Sequence, residues 1–185
     1  MDKLTDLSDV KKKILETVWE SKYPLNSKQI SDKTGMQPLT LKDHLQALRQ
    51  EELVSVIGGN YTITAKGKEK LGFTIIDQMK AEKILSQLPL ENAFFFYAEV
   101  DQPLGIRSDS LSDFCDKLQS IEIRSIEFHT AQGHIESWIT FLGDVELAKK
   151  LKLLKEKNLK AEPLRETLYQ TIKARLNELQ KIKSQ

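Results

Sequence analysis

The stretch that decides the fold of the N-terminal part is NSKQISDKTGMQPLTLKDHLQALRQ, residues 26–50. Asn26 or Ser27 is suited to cap a short helix, because short polar side chains accept hydrogen bonds from the first free backbone N–H groups. Gly35 follows at the position where glycine commonly ends a helix. After a three-residue turn, Pro38 opens a second helix, where its missing N–H costs nothing. The stretch therefore predicts two helices joined by a tight turn.

The second of these helices has one apolar face. Leu41, Leu45 and Leu48 are spaced by four and three residues, so they lie on the same side of a helix and are expected to be buried, with Ala47 near the helix contact. His44 stands beside this face and is expected to be a half-buried packing residue. The remaining polar side chains are expected to face solvent.

Upstream, a further helix is predicted before residue 22. Ser8 is a plausible N-cap, and apolar residues recur after it at spacings of three and four. The residues on this predicted face are Val10, Ile14, Leu15, Val18 and Trp19.

Downstream, the period changes from helix to strand. Residues 53–57 favour a strand, Gly58-Gly59-Asn60 favours a hairpin tip, and residues 61–64 favour a returning strand. A last short helix is predicted from Thr64 through Leu71. The order is three helices followed by a two-stranded ribbon with a glycine-rich tip.

Residues 28–36 and 41–48 resemble the helix-turn-helix of bacterial and archaeal winged-helix regulators, and residues 52–54 and 61–67 are similar to their wing and its exit. The resemblance covers roughly the segment 7–72. It implies that this part binds double-stranded DNA. The third helix would enter the major groove, and the wing would lie along the backbone or minor groove.

The candidate DNA-binding residues follow from this resemblance and from the helical pattern. On the third helix the expected exposed positions are Gln37, Thr40, Lys42, Asp43, Gln46 and Arg49. Glutamine amides suit adenine edges, and a lysine suits guanine or a phosphate. At the wing and after it the candidates are Asn60, Lys66, Lys68 and Lys70, of which the lysines suit phosphate contact.

Composition sets limits on this interpretation. The net charge is +1 over 185 residues, and residues 1–74 hold 12 Lys/Arg and 10 Asp/Glu. The charge therefore does not by itself indicate nucleic-acid binding, for which a strongly basic domain is typical. The single cysteine, Cys115, fits a reducing interior. The first ten residues have no apolar run, and the apolar patch at residues 93–97 is too short to span a bilayer. We expect a cytoplasmic protein without membrane contact.

The C-terminal part is predicted to be mostly helical. A helix is expected over residues 75–87, with Ile76, Met79, Ile84 and Leu85 on its apolar face. The aromatic run that follows it fits a buried strand or a short core helix equally well. Residues 101–105 are expected to be a loop.

Further along, the sequence predicts four more helices. Ser110 and Asp113 indicate the start of a helix with Leu111, Phe114, Cys115 and Leu118 buried, so Cys115 is expected to be a core residue. Residues 121–129 alternate locally like a strand, but helical spacing takes over from Ser125. Gly143-Asp144 is expected to end one helix and cap the next.

Pro163 opens a long final helix. Its apolar residues, at Leu164, Leu168, Ile172, Leu176, Leu179 and Ile182, follow a period near 3.6. Two interpretations stay open: the face packs on its own domain, or it forms the seam of a coiled-coil homodimer.

Parts of this region resemble a largely helical domain family of archaea and bacteria with no established activity. The resemblance rests on residues 110–114, 125–129 and 142–148 together with Trp138. It implies a domain boundary, with residues 1–74 as the DNA-binding domain and 75–185 as a domain for dimerisation, sensing or partner binding. It also implies an archaeal setting.

Catalysis finds no support in the sequence. The chain has no nucleophile elbow, no phosphate-binding glycine loop and no dinucleotide fingerprint. His129 and His134 are five residues apart, whereas zinc ligands on one helix are three or four apart. A metal site there is the weakest hypothesis. We expect no enzyme and no cofactor, and we interpret Trp138 and His129 as core residues in preference to the lining of a small-molecule pocket.

The fold expected from the sequence is mainly α (α+β), with an N-terminal winged helix-turn-helix and a helical C-terminal domain. The function expected is a DNA-binding transcriptional regulator whose C-terminal domain dimerises or binds an effector or protein partner. The alternative is a protein-interaction adaptor of transcription or replication machinery, which the low net charge and Asp43 favour.

Overall fold

The computed structural model describes residues 7–184 and is mainly helical, with two small antiparallel sheets. It divides into two compact units that meet in sequence between Ile75 and Ile76. Between residues 7 and 184, no helix combines the length and apolar character needed to cross a membrane.

Residues 7–75 of the N-terminal unit form four helices and three strands. Their bounds are α1 Asp9–Glu20, β1 Leu25–Asn26, α2 Ser27–Thr34, α3 Pro38–Gln50, β2 Val54–Ile57, β3 Asn60–Ile63 and α4 Ala65–Lys70. The strands pair in the order β1-β3-β2 and are antiparallel. In the hairpin, Val54 lies opposite Ile63 and Ile57 lies opposite Asn60.

Side chains placed at the predicted caps begin these helices. Ser8 accepts a hydrogen bond from the backbone N–H of Lys11, which confirms it as the N-cap of α1. Asn26 and Gln29 exchange side-chain and backbone hydrogen bonds of 2.9 Å at the start of α2. Gly35 ends α2 with φ +71°, a left-handed conformation that glycine adopts without steric cost.

The core of this unit is apolar and follows the predicted helix faces. Ile14, Leu15, Leu41, Leu45 and Leu48 are almost completely buried. Val10 is the exception, because it is 39% exposed and lies outside the core that it was predicted to join.

A close backbone approach fixes the base of the hairpin. The backbone N–H of Thr64 donates to the Leu53 carbonyl at 3.1 Å, and the Thr64 hydroxyl donates to the Glu52 carbonyl at 2.7 Å. At Gly67 in α4, an added Cβ would lie 2.2 Å from the Leu53 carbonyl oxygen. Only glycine fits at this position without a shift of the backbone.

In the C-terminal unit, residues 76–184 form six helices, one 3-10 turn and a two-stranded hairpin. Their bounds are α5 Gln78–Ile84, the turn Leu90–Asn92, β4 Phe94–Glu99, β5 Gln102–Ser108, α6 Leu111–Lys117, α7 Ile123–Gln132, α8 His134–Leu142, α9 Val145–Glu156 and α10 Ala161–Lys183.

The hairpin corrects one prediction and decides an open alternative. The aromatic run is a strand, β4, whose Phe94 and Phe96 side chains are buried. The predicted loop over residues 101–105 is wrong, since β5 begins at Gln102 and pairs with β4 through Pro103 opposite Tyr97. Proline is tolerated because a two-stranded hairpin consists of edge strands only.

The predicted linking helix over residues 75–87 is also too long. The Asp77 side chain accepts a hydrogen bond from the Lys80 N–H and caps α5, which therefore begins at Gln78, three residues later than expected. Ala81 and Ile84 are buried, whereas Met79 is 76% exposed, so the prediction that placed Met79 on the apolar face of this helix is wrong.

The remaining helices follow the prediction more closely. Ser110 caps α6, and Leu111, Phe114, Cys115 and Leu118 are buried together. The locally alternating segment from residue 121 is helical from Ile123, so α7 takes the place of a strand.

The apolar face of α10 is buried within its own unit. Leu164, Leu168, Ile172, Leu176 and Leu179 are each at most 2% exposed in the single chain. This burial confirms the interpretation in which the face packs on its own domain. The coiled-coil alternative is wrong, because a face covered by its own unit cannot also form the seam between two chains.

A buried ion pair joins α10 to the start of α9. Arg175 donates to both carboxylate oxygens of Asp144, at 2.6 and 2.9 Å, and both side chains are almost fully buried. Burial lowers the pKa of Arg175, but its hydrogen bonds to Asp144 and the charges of Asp144, Glu146 and Glu178 raise it by more. The guanidinium therefore stays charged.

Candidate nucleic-acid interface

The candidate surface of the N-terminal unit is the solvent face of α3. Its buried leucines belong to one apolar cluster with residues of α1, α2 and β2, which leaves the opposite side of the helix in water. All six predicted positions, Gln37, Thr40, Lys42, Asp43, Gln46 and Arg49, are exposed. Lys42, Gln46 and Arg49 are four and three residues apart, so they form one stripe along the helix.

The N-terminal end of α3 presents an unused amide. Gln37 is the N-cap residue, and its side chain makes no capping hydrogen bond to the helix. Pro38 at the next position needs no partner for its nitrogen. The exposed Gln37 amide is therefore available to an external donor or acceptor.

The centre of this solvent face contains a residue that the sequence prediction missed. Leu39 is 77% exposed, and at 100° per residue it lies between Asp43 and Gln46 on the side opposite the leucine core. The sequence contains the signal for this exposure, because helical spacing places Leu39 on the side of α3 opposite Leu41, Leu45 and Leu48. A second missed side chain, Ile57, is 79% exposed next to the hairpin tip.

The candidate residues at and after the hairpin are more buried than those on α3 or already bonded to other residues. The Asn60 side chain is half-buried and donates to the Gly58 carbonyl at 3.4 Å. Lys66 is exposed and pairs with Glu52 at 3.3 Å. Lys68 and Lys70 are half-buried, and Lys70 lines a shallow depression with Lys66 and Phe73.

Two further residues of α3 behave as the pattern predicts. His44 is half-buried beside the leucine face. Asp43 is exposed near the middle of the solvent face, so its carboxylate would stand close to any molecule docked there.

Comparison of the chain with protein-family models, curated proteins and solved structures finds no match.

In the C-terminal unit, the two histidines are in direct contact. Their Nδ1 atoms are 3.1 Å apart, and His129 Nε2 accepts the backbone N–H of Tyr97 at 2.9 Å. Because Nε2 of His129 is an acceptor, its ring proton must be on Nδ1. That proton is donated to His134 Nδ1, which leaves the His134 proton on Nε2.

This arrangement accommodates two neutral imidazoles. A second proton on His129 would break the bond to Tyr97, and one on His134 Nδ1 would face the His129 N–H. Burial, together with the neighbouring His134, lowers the pKa of His129 to about 4. Within the described residues no group of three or more His, Cys, Asp or Glu side chains is placed to hold a metal ion.

The other singled-out residues of this unit are in its core. The Trp138 indole is 9% exposed and donates to the Asn92 carbonyl at 3.0 Å. Cys115 is fully buried, and burial raises the pKa of its thiol to about 11. Cys115 is therefore protonated at neutral pH, and its interpretation as a core cysteine is confirmed.

Proposed function

We propose that the N-terminal unit is a winged helix-turn-helix that binds double-stranded DNA, and that the protein is a transcriptional regulator. The observation that carries the proposal is that all six predicted polar positions are exposed on α3 and its N-cap, while the leucines on the opposite side of the helix are buried. Such a helix can place its polar face in a major groove while its leucine face stays packed in the unit.

In the proposed complex, the contacts divide by chemistry. Gln37 and Gln46 bond adenine edges, while Lys42 reaches guanine or a phosphate. Arg49 lies on the same stripe as Lys42 and contacts the backbone. The hairpin of β2 and β3 acts as the wing, with Asn60 at its tip.

The lysines after the wing supply phosphate contacts in this proposal. Lys66 is 53% exposed, and its pair with Glu52 is a surface ion pair that contributes little free energy. A phosphate would therefore displace Glu52 at small cost. Lys68 and Lys70 contribute through the ends of their side chains, since the stems are partly covered.

The C-terminal unit would dimerise or bind an effector or partner. A homodimer would place two α3 helices about one DNA turn apart and so multiply a weak single-site affinity. The dimer surface is not the buried face of α10 and has to be built elsewhere on the unit.

One observation favours the adaptor as a second candidate. Leu39 and Asp43, an apolar and an acidic side chain, both lie near the centre of the α3 solvent face. An exposed leucine suits a protein groove, and an aspartate repels phosphate. In that case the same face would dock on another protein.

Binding to a duplex selected from a randomised DNA pool distinguishes these candidates. We expect the Lys42→Ala and Gln46→Ala double variant to bind the selected site at least about tenfold more weakly than the unchanged protein, because each good base contact discriminates its preferred base by roughly 1–3 kcal/mol. The matched control is Lys152→Ala with Gln180→Ala, at exposed positions of the C-terminal unit, and it should change affinity less than about twofold. Equal loss in both double variants would contradict the proposed DNA-reading face.

A further inference from the structure

A cavity of about 450 Å³ lies in the C-terminal unit between β4, α7 and α8. Such a volume is typical of small-molecule sites. Its wall is formed largely by the rings of Phe94, Phe95, Tyr97, Phe128 and Trp138, with the two histidines beside them. The wall therefore suits a flat, apolar group that stacks on aromatic rings.

The charge of this cavity is negative. Asp101 is the only lining residue among those described that carries a formal charge, and its side chain is exposed at the turn between β4 and β5. Arg124 pairs with Glu99 at 3.1 Å and is not among the lining residues. A bound anion would meet no positive partner in the wall.

His129 contributes a neutral imidazole to the wall. Each imidazole has its single proton placed by a hydrogen bond, as described above, and an added proton would break one of these bonds. The hydrogen bond from the Tyr97 N–H therefore opposes an imidazolium at His129, the buried member of the pair.

We propose that this cavity binds a small aromatic ammonium compound, with one or two rings stacked among Phe95, Tyr97 and Phe128 and the ammonium group paired with Asp101. The electron-rich ring faces add attraction for the cation beside the carboxylate. This site stands independently of DNA binding, because none of its residues lies in the N-terminal unit.

The probes are three naphthalenes of matched size that differ in charge: 1-naphthylmethylamine, 1-naphthylmethanol and 1-naphthylacetate. Binding to the full-length protein without DNA is measured by titration calorimetry. The indole N–H signals in NMR spectra report the location, because Trp138 lines the cavity and Trp19 lies in the other unit. We expect the amine to bind at least about tenfold more tightly than the acetate and to shift the Trp138 signal alone.

Asp101→Asn tests the charge with little disturbance of the turn. Asp101 has φ +59°, and asparagine is one of the few residues that tolerate this conformation. We expect the preference for the amine to fall below about threefold. The control Asp116→Asn, an exposed aspartate on α6 outside the cavity, should keep the full preference.

Phe128→Leu tests the aromatic wall, and it should weaken amine binding several-fold while the preference over the acetate remains. Absence of amine binding at millimolar concentration would overturn the proposal. Equal affinity for the three probes, or a preference that survives Asp101→Asn, would also overturn it. DNA binding is measured separately on the same protein sample, so failure of this proposal and failure of the proposed function can be told apart.

Discussion

The two units differ in where they keep their polar side chains. Among the described residues, the buried polar or charged side chains are Thr34, Ser108, Ser125, His129, Thr130, Asp144, Glu146 and Arg175. Only Thr34 belongs to the N-terminal unit, and its hydroxyl bonds the carbonyl of Ile30, four residues earlier on the same helix. The N-terminal core is thus almost purely apolar.

Three buried polar side chains of the C-terminal unit, His129, Asp144 and Arg175, bond partners far away in sequence. The buried hydroxyls of Ser108, Ser125 and Thr130 have no hydrogen-bond partner among the described residues. Arg175 reaches Asp144 across 31 residues, and His129 reaches Tyr97 across 32. Removal of one partner from such a pair leaves a buried polar group unsatisfied. The difference teaches that the N-terminal unit is stabilised by local caps and apolar packing, and the C-terminal unit also by a few long-range polar contacts.

The largest effect is expected from the buried ion pair. Arg175→Ala leaves Asp144 buried without its partner, and such a loss typically costs about 3–5 kcal/mol of unfolding free energy. Urea unfolding of the purified variant measures it. Arg124→Ala is the control, because Arg124 and Glu99 form an exposed pair whose loss should cost less than about 1 kcal/mol. Similar losses in both variants would contradict the comparison.

The histidine pair predicts a loss of stability in acid. The folded-state pKa of His129 is lowered to about 4, so the unfolded chain takes up this proton first as the pH falls. Stability contributed by the neutral imidazole should therefore be full above pH 6.5 and decline toward pH 4, by roughly 3 kcal/mol in total.

His129→Gln removes this titration while leaving an oxygen that can accept the Tyr97 N–H. Its unfolding free energy should fall less between pH 7 and pH 4 than that of the unchanged protein. His44→Gln, in the other unit, should retain most of the decline. An unchanged pH profile in His129→Gln would show that the histidine pair is not its source.

A smaller effect is expected at the base of the N-terminal hairpin. Gly67→Ala places a methyl group against the Leu53 carbonyl and should cost about 1–3 kcal/mol through strain. Gly143→Ala is a useful comparison, because a Cβ there meets no atom within 4 Å and only the left-handed conformation, φ +99°, opposes it. Thermal unfolding measures the loss of stability in both variants. We expect only Gly67→Ala to shift the backbone NMR signals of Leu53, and unchanged Leu53 signals in that variant would contradict the close approach.

The smallest effect belongs to a local cap. Asn26→Ala removes the bond that the Gln29 backbone N–H donates to the Asn26 side chain, while the Asn26 backbone N–H can still donate to the Gln29 side chain. Loss of this cap should cost about 1 kcal/mol. Asn177→Ala, at an exposed position within α10, should be neutral or slightly stabilising because alanine favours helix interiors. Equal effects of the two substitutions on the unfolding midpoint would refute the role of the cap.

The same local rules explain how much the sequence could predict. Ser8, Asn26, Gly35 and Pro38 act within one helical turn, so their effects were visible in the sequence. The leucine face of α3 and the exposure of its polar residues followed from helical spacing.

What the sequence did not reveal depends on contacts between distant segments. Strand β5 was missed because Pro103 and Gly105 indicate a turn, and only pairing with β4 makes this segment a strand. The contact of His129 with Tyr97 and the ion pair of Arg175 have no local signal at all. Whether the α3 face binds DNA remains a prediction.

The most direct test of the central proposal is a salt series of the unchanged protein on duplex DNA. If α3 and the lysines after the wing contact phosphates, the logarithm of the binding constant should fall linearly with the logarithm of salt concentration. About three to five phosphate contacts would give a slope of about −2.7 to −4.5. A folded protein that shows no binding at low salt, or binding that salt does not weaken, would contradict the proposed function.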